Sequence, residues 1–306
     1  MRVVFAGSPE VALPSLRALY ASSHFVVGVL TQPARPVGRK QVSTPTPVAI
    51  AADELGVPVA TPETSDQVVA ALSDWKPDIA IVVAYGRLLG EEELSSVPEG
   101  WWNVHFSLLP RWRGAAPVPY ALAAGDEETG VSVFRIERGL DTGPVAHVRA
   151  HAIAPHDTAS TLLTKLADLA PEPVLALLED ISGGSLTLSA QQGEPSFAPK
   201  PSKDVGELKW SSTAEDLYNQ IRAWGEEPGC FATRDDNEQR VKIISAWRDV
   251  SSGGLRPGAI APHPEGVAVG TASTAIVLTS VQPAGKSVME AKDWFRGLLP
   301  GVGFRA

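Results

Sequence analysis

Ile79-Ala80-Ile81-Val82-Val83-Ala84 is an unbroken apolar run, mostly β-branched, closed by a tyrosine and a glycine. A half-exposed strand would alternate with polar residues, and a lone helix of this length would not persist. The run therefore predicts a strand covered on both faces. Val3-Val4-Phe5-Ala6 and Phe25-Val26-Val27-Gly28-Val29-Leu30 have the same texture. Between these runs the punctuation is helical. Gly7-Ser8-Pro9-Glu10 reads as a turn into a helix, with Ser8 as its cap and Pro9 in the first turn. Val48 to Leu55 predicts a helix ending at Gly56. Covered strands alternating with helices imply right-handed βαβ units and a largely parallel sheet, a Rossmann-like α/β domain.

The strand series continues with Trp101-Trp102-Asn103-Val104 and Val131-Ser132-Val133-Phe134-Arg135-Ile136. Val145 to Ile153 alternates in character and is expected to pair antiparallel at an edge. Thr158 to Leu178 carries Leu162, Leu163, Leu166 and Leu169 at helical spacing, and Pro171 and Pro173 must kink or divide it. The texture then changes. Gln191 to Lys203 is polar and rich in proline, as an extended linker would be. Ala214 to Trp224 predicts one helix. From Cys230 to Gln282 the chain falls into short strands separated by Gly and Pro: Val241–Ile244, Gly258–Ile260, Gly266–Val269 and Ala275–Leu278. That pattern predicts a small β-barrel. With 306 residues two domains are expected, at 1–188 and 206–306, joined by a linker at 189–205.

A formal net charge of -9 argues against coating nucleic acid by bulk electrostatics, though not against a local basic patch. The lone Cys230 reads as buried filler and allows neither an intrachain disulfide nor a cysteine-based zinc site. The apolar start at Met1 stops at Gly7, short of a signal peptide, and no uncharged apolar stretch reaches about 18 residues. A cytoplasmic chain with no membrane partner is expected. GxSxG, Walker and GxGxxG patterns are absent. The six histidines form no HExxH pair, and His147 and His151 read as surface residues of an edge strand.

Chemistry concentrates in two turns. Asn103 and His105 stand two apart at a strand end, so both point to one face, at the edge where open α/β sheets bind ligands. A neutral amide donor beside an imidazole suits oxyanion stabilisation and proton shuttling. Satisfying backbone groups near a turn is the plainer use of the same residues. Gly139-Leu140-Asp141-Thr142-Gly143 places a carboxylate between glycines after another strand. It suits either close approach to a ligand or a tight turn in which Asp141 bonds its own backbone. Were Asp141 to lie against His105, the carboxylate would raise the imidazole pKa above about 6.5, and the ring would act as a cation.

Asn103-Val104-His105-Phe106-Ser107-Leu108-Leu109-Pro110-Arg111-Trp112-Arg113-Gly114-Ala115-Ala116-Pro117 resembles the folate-dependent formyltransferases. The family's Asn, His and Asp catalytic residues map onto Asn103, His105 and Asp141. Its folate-binding segment maps onto Ser107, Leu108, Leu109 and Pro110. Phe106 departs from the pattern, standing where the family usually has a small residue, as if to tighten the folate entrance. Thr31 to Arg39 resembles the start of the loop that tRNA-specific members insert beside the acceptor end. This implies phosphate contacts from Arg39 and Lys40, although Gln41-Val42 carries fewer charges than relatives do. Ala198-Pro199-Lys200, Trp210, Ile221-Arg222-Ala223 and Gln282-Pro283-Ala284-Gly285-Lys286 resemble the family's OB-like second domain.

The resemblance implies transfer of the formyl group of 10-formyltetrahydrofolate, a co-substrate, to the α-amine of methionine on initiator tRNA. It implies no metal and no obligate protein partner. Two alternatives stand beside it. A sugar-nucleotide N-formyltransferase would use the same chemistry, and the basic loop and the 282–286 segment argue against it. A non-catalytic RNA-binding protein on the same scaffold would not need all three polar residues.

Overall fold

The computed structural model describes residues 1–38, 41–251 and 253–306. The chain begins with β1 (Arg2–Gly7), a 3-10 turn (Glu10–Ala12), α1 (Leu13–Ala21), β2 (Phe25–Leu30) and a short hairpin of β3 (Arg35–Val37) and β4 (Val42–Thr44). It continues through α2 (Pro47–Glu54), β5 (Val59–Ala60), α3 (Ser65–Trp75), β6 (Ile79–Val83), α4 (Glu91–Ser95) and β7 (Trp101–His105). Then come α5 (Pro117–Ala123), β8 (Glu128–Arg135), β9 (Val145–Ala152), α6 (Ala159–Leu169) and α7 (Pro171–Gly183). After a second 3-10 turn (Lys203–Gly206) follow α8 (Ala214–Trp224), β10 (Cys230–Thr233), β11 (Arg240–Asp249), β12 (Ile260–His263) and β13 (Gly266–Gly270). The last elements are β14 (Ala275–Pro283), β15 (Met289–Glu290) and α9 (Ala291–Arg296). Two compact units result. One comprises Met1–Pro117, Glu128–Ala152 and Leu163–Phe197, and the other Val118–Glu127, Ile153–Leu162 and Ala198–Ala306.

The first unit holds a seven-stranded sheet in the order β5-β2-β1-β6-β7-β8-β9. The pairs from β5 to β7 are parallel, as the covered strands predict, and β8 and β9 close the edge antiparallel. Ile79 to Val83 are all buried, so both faces of β6 are packed, and Val3 to Ala6 of β1 have no exposed surface. Burial of such side chains stabilises the sheet by about 1.5–3 kcal/mol each. Helices α6 and α7 divide at Ala170, where the prolines predicted a break.

Three expectations change in detail. Ser8 caps no helix: its hydroxyl donates to the carbonyl of Tyr85 at 3.0 Å and accepts from the amide of Gln32 at 3.2 Å, stitching the ends of β1, β2 and β6. The turn between them leaves through Pro9 in an extended conformation, and Pro14 is the proline seated in the first turn of α1. Strand β8 starts at Glu128, earlier than its apolar run, because pairing with β9 carries it through Gly130. A Cβ at Gly130 would sit 2.3 Å from the carbonyl of Arg149.

In the second unit six antiparallel strands run in the order β10-β11-β14-β13-β12, with β15 on β14. Among the described residues this hydrogen-bonded path stays open, an arrangement compatible with the expected OB-like barrel. The strand expected at Gly258–Ile260 lies at Ile260–His263 instead. Gly258 is a turn residue with φ 78°, and Pro262 is admitted because β12 lies on the edge. Trp210 stacks on Phe304 at 5.4 Å between centroids, and Trp294 stacks on the same ring at 5.6 Å. Cys230 is buried, as its lone occurrence suggested, and burial pushes its thiol up to about 12.

No described helix is long and apolar enough to cross a membrane. Trp101 is 1% exposed and its indole donates to the carbonyl of Glu93 at 2.8 Å. Replacing it by alanine empties a large volume beneath β7, at an expected cost of about 3–5 kcal/mol. Urea unfolding followed by circular dichroism should show a correspondingly lower midpoint.

Candidate functional site

Strand β7 lies between β6, to which it runs parallel, and β8, to which it runs antiparallel. Val82 is the register partner of Asn103 on one side, and Phe134 is its partner on the other. Two positions later His105 pairs with Ser132. Asn103 and His105 therefore share a face, at the C-terminal edge of the parallel strands. Among the described residues the Asn103 side chain has no hydrogen-bond partner, which leaves its amide donors open to a ligand. His105 is nearly buried at 5% exposed, and its ring meets Phe134 edge-on at 6.4 Å.

Asp141 comes from the turn after β8, and the fold brings it to His105. Its Oδ2 lies 3.7 Å from Nδ1 of the ring and accepts the amide of Gly114 at 2.7 Å. Asp141 itself has φ 51°, a left-handed conformation that an L residue holds only under constraint. The flanking glycines are needed for contact: a Cβ at Gly143 would fall 1.8 Å from the carbonyl of Arg135. The turn is thus closed too tightly for a side chain at its end.

The other ring nitrogen, Nε2, lies 2.8 Å from the carbonyl oxygen of Trp112. A carbonyl can only accept, so Nε2 carries the hydrogen and Nδ1 of a neutral ring presents its lone pair toward Asp141. Burial lowers the imidazole pKa, and this outweighs the upward pull of the Asp141 carboxylate and of the Trp112 carbonyl. The ring is accordingly neutral at pH 7. This corrects the expectation of a charged imidazole, which counted the carboxylate and not the desolvation that comes with it. The arrangement suits proton uptake: a proton arriving at Nδ1 would face a carboxylate already held in place.

The expected folate segment is fixed from below. Ser107 is fully buried and donates to the carbonyl of Arg111 at 2.6 Å. Its own carbonyl accepts the Ser132 hydroxyl at 2.7 Å, and the same hydroxyl accepts the amide of Leu109 at 3.2 Å. Ser107 and Pro110 therefore face inward, while Leu108 and Leu109 keep partial exposure. Phe106 is only 7% exposed and belongs to the core rather than to an open entrance. His147 lies partly exposed on the edge strand β9, where its ring pairs with Asp180 at 3.0 Å. Arg39 and Lys40 lie outside the described residues. No three His, Cys, Asp or Glu side chains gather as a metal site among the described residues.

Sequence reasoning missed two residues at this site. Gln191 and Ser196, in the stretch that reads as a linker, bond the turns that carry Trp112, Arg113 and Asp141. Their composition is that of a spacer, and no local pattern marks them.

The comparisons with known proteins agree in both halves of the chain. The formyl transferase family model matches residues 1–178, and the model of the formyl transferase C-terminal domain matches residues 200–299. The methionyl-tRNA formyltransferase of Clavibacter sepedonicus is 43% identical over 299 residues, covering 97% of each chain. That of Renibacterium salmoninarum is 44% identical with the same coverage. Among solved structures, the sugar 3N-formyl transferase WlaRD shares the fold with a TM-score of 0.68 at 18% identity, over 94% of this chain and 99% of that one. The methionyl-tRNA formyltransferase of Clostridium thermocellum shares it with a TM-score of 0.58 at 14% identity, over 82% and 95%. The chain belongs to the formyl transferase family, in its methionyl-tRNA formyltransferase branch.

Proposed function

We propose that this chain transfers the formyl group of 10-formyltetrahydrofolate to the α-amine of methionine carried by initiator tRNA. The observation that supports the reading most is the convergence of the Asn103 amide, the His105 ring and the Asp141 carboxylate at one sheet edge. In this reading the amine attacks the formyl carbon, and Asn103 donates to the carbonyl oxygen as negative charge develops there. Neutral His105 takes the amine proton at Nδ1, where Asp141 stabilises the resulting cation. Nε2 keeps its hydrogen, donated to the Trp112 carbonyl, throughout. As the bond from the formyl carbon to the folate nitrogen breaks, the same proton passes to that nitrogen. Leu108 and Leu109, the partly exposed members of the expected segment, would supply the wall against which the folate lies, with buried Ser107 and Pro110 holding them from below. Holding two substrates in reacting geometry can itself supply several kcal/mol of the barrier.

Arg39 and Lys40 are proposed, on sequence alone, as phosphate contacts for the tRNA acceptor end. A sugar-nucleotide acceptor would use the same three residues. Supplying formyl-folate with charged initiator tRNA, and separately with an amino-sugar nucleotide, tells the two acceptors apart: formylation of the tRNA alone is expected.

Asn103→Ala and His105→Ala are each expected to lower kcat by about 100- to 1000-fold, by the usual cost of losing one such group. Retention of turnover within about threefold would remove these residues from the mechanism. Since burial holds the imidazole below its ordinary 6.5, kcat should stay level from about pH 8 to about 6.5. It should fall only at lower pH, as the ring takes up its proton and can no longer act as a base. A limb centred above about 6.5 would exclude the neutral-base role. For Arg39→Ala the expected change is a higher KM for tRNA and a salt slope shallower by about one, with kcat kept.

A further inference from the structure

The segment that follows α7 lies across both turns of the candidate site. Ser189 exchanges two backbone hydrogen bonds with Val145, at 2.8 and 2.9 Å, and so starts the segment in register beside β9. The amide nitrogen of Gln191 donates to the carbonyls of Asp141, at 2.8 Å, and of Gly143, at 2.9 Å. Its oxygen accepts two bonds from the Arg113 guanidinium, at 3.1 and 2.6 Å. Further along, the Ser196 hydroxyl accepts the amide of Trp112 at 2.9 Å, and its carbonyl accepts the amide of Arg113 at 2.9 Å.

These bonds close a loop around the reacting groups. Three consecutive residues each hold a different part: Trp112 through its carbonyl on His105, Arg113 through its side chain on Gln191, and Gly114 through its amide on Asp141. Gln191 joins that stretch to the backbone of the Asp141 turn. Only a side chain with two donors and an acceptor at this reach fits the contacts. Glutamate has no donor for the two carbonyls, leucine has neither function, and asparagine is a methylene shorter. The bond to the Asp141 carbonyl falls on the one residue of the turn that must hold a left-handed conformation.

We infer that Gln191 is a positioning residue for the transfer proposed above. By clamping the two turns together it sets the separation of the Asp141 carboxylate from the His105 ring, and it touches neither side chain. The inference rests on that reading for its catalytic consequence, while the clamp itself has a readout that needs no substrate.

The test uses Gln191→Leu and Gln191→Glu in the full chain. The first removes donor and acceptor, and the second keeps an acceptor for Arg113. The substrate-free measurement is hydrogen exchange of the Gly114 amide by NMR, since that proton is protected by the Asp141 carboxylate. Exchange at Gly114 should quicken about tenfold or more in both variants, with Val104 in the sheet unchanged. In turnover, kcat should fall about 10- to 100-fold, with KM for each substrate within about threefold. In an Asp141→Asn background the further loss from Gln191→Leu should be no more than about twofold, because the group being positioned is already gone. Unchanged Gly114 exchange in both variants would overturn the clamp. So would an equal loss from Gln191→Leu in the wild-type and Asp141→Asn backgrounds. Wild-type protein without turnover would count against the transfer reaction, and Gly114 exchange would then decide the clamp alone.

Discussion

The site depends on the position of β7, which is the last parallel strand of the sheet and the first to meet an antiparallel neighbour. On its β6 side the parallel register makes neighbouring strands end together, so the turns that follow share one edge. On its β8 side the reversed neighbour sets Ser132 opposite His105 and Phe134 opposite Asn103. The first supports the Ser107 to Leu109 stretch by hydrogen bonds, and the second packs against the imidazole ring. One strand thus receives its reactive face from its own period and the support of that face from the change in sheet direction.

Electrostatics at this edge are decided by desolvation. A carboxylate 3.7 Å from an imidazole would by itself favour the cation, but the ring is nearly dry and pays for charge with lost hydration. Desolvation wins, and the ring is neutral beside a fixed counter-ion rather than a standing cation. The Trp112 carbonyl completes this state by engaging Nε2, so the remaining lone pair has one direction to face. Neither the tautomer nor the charge state follows from having the three residue types present.

The stretch around Gln191 illustrates the gap between composition and structure. Polar, glycine- and proline-rich sequence is what a solvated spacer has, because such residues bury little apolar area. The same residues are also the best available group for bridging backbone carbonyls, amides and a guanidinium between irregular turns. Which use is made of them depends on what lies alongside, and here two turns present backbone carbonyls and amides to which they bond.

Much of the fold was legible because its causes are local. Unbroken β-branched runs mean strands covered on both faces, so Ile79 to Val83 and Val3 to Ala6 declared a parallel core without reference to anything else. The two-residue period of a strand put Asn103 and His105 on one face, and the glycines around Asp141 announced a tight turn. Short runs broken by Gly and Pro announced the antiparallel second unit, though not the edge position that lets Pro262 stay in β12. What tertiary structure alone decided is everything that needs two distant segments in register. The approach of Asp141 to His105, the neutral state of the ring, the inward turn of Ser107 and the bonds of Gln191 are of this kind. Local sequence sets a residue's conformation and face, while distance, desolvation and hydrogen-bond partners belong to the packed whole.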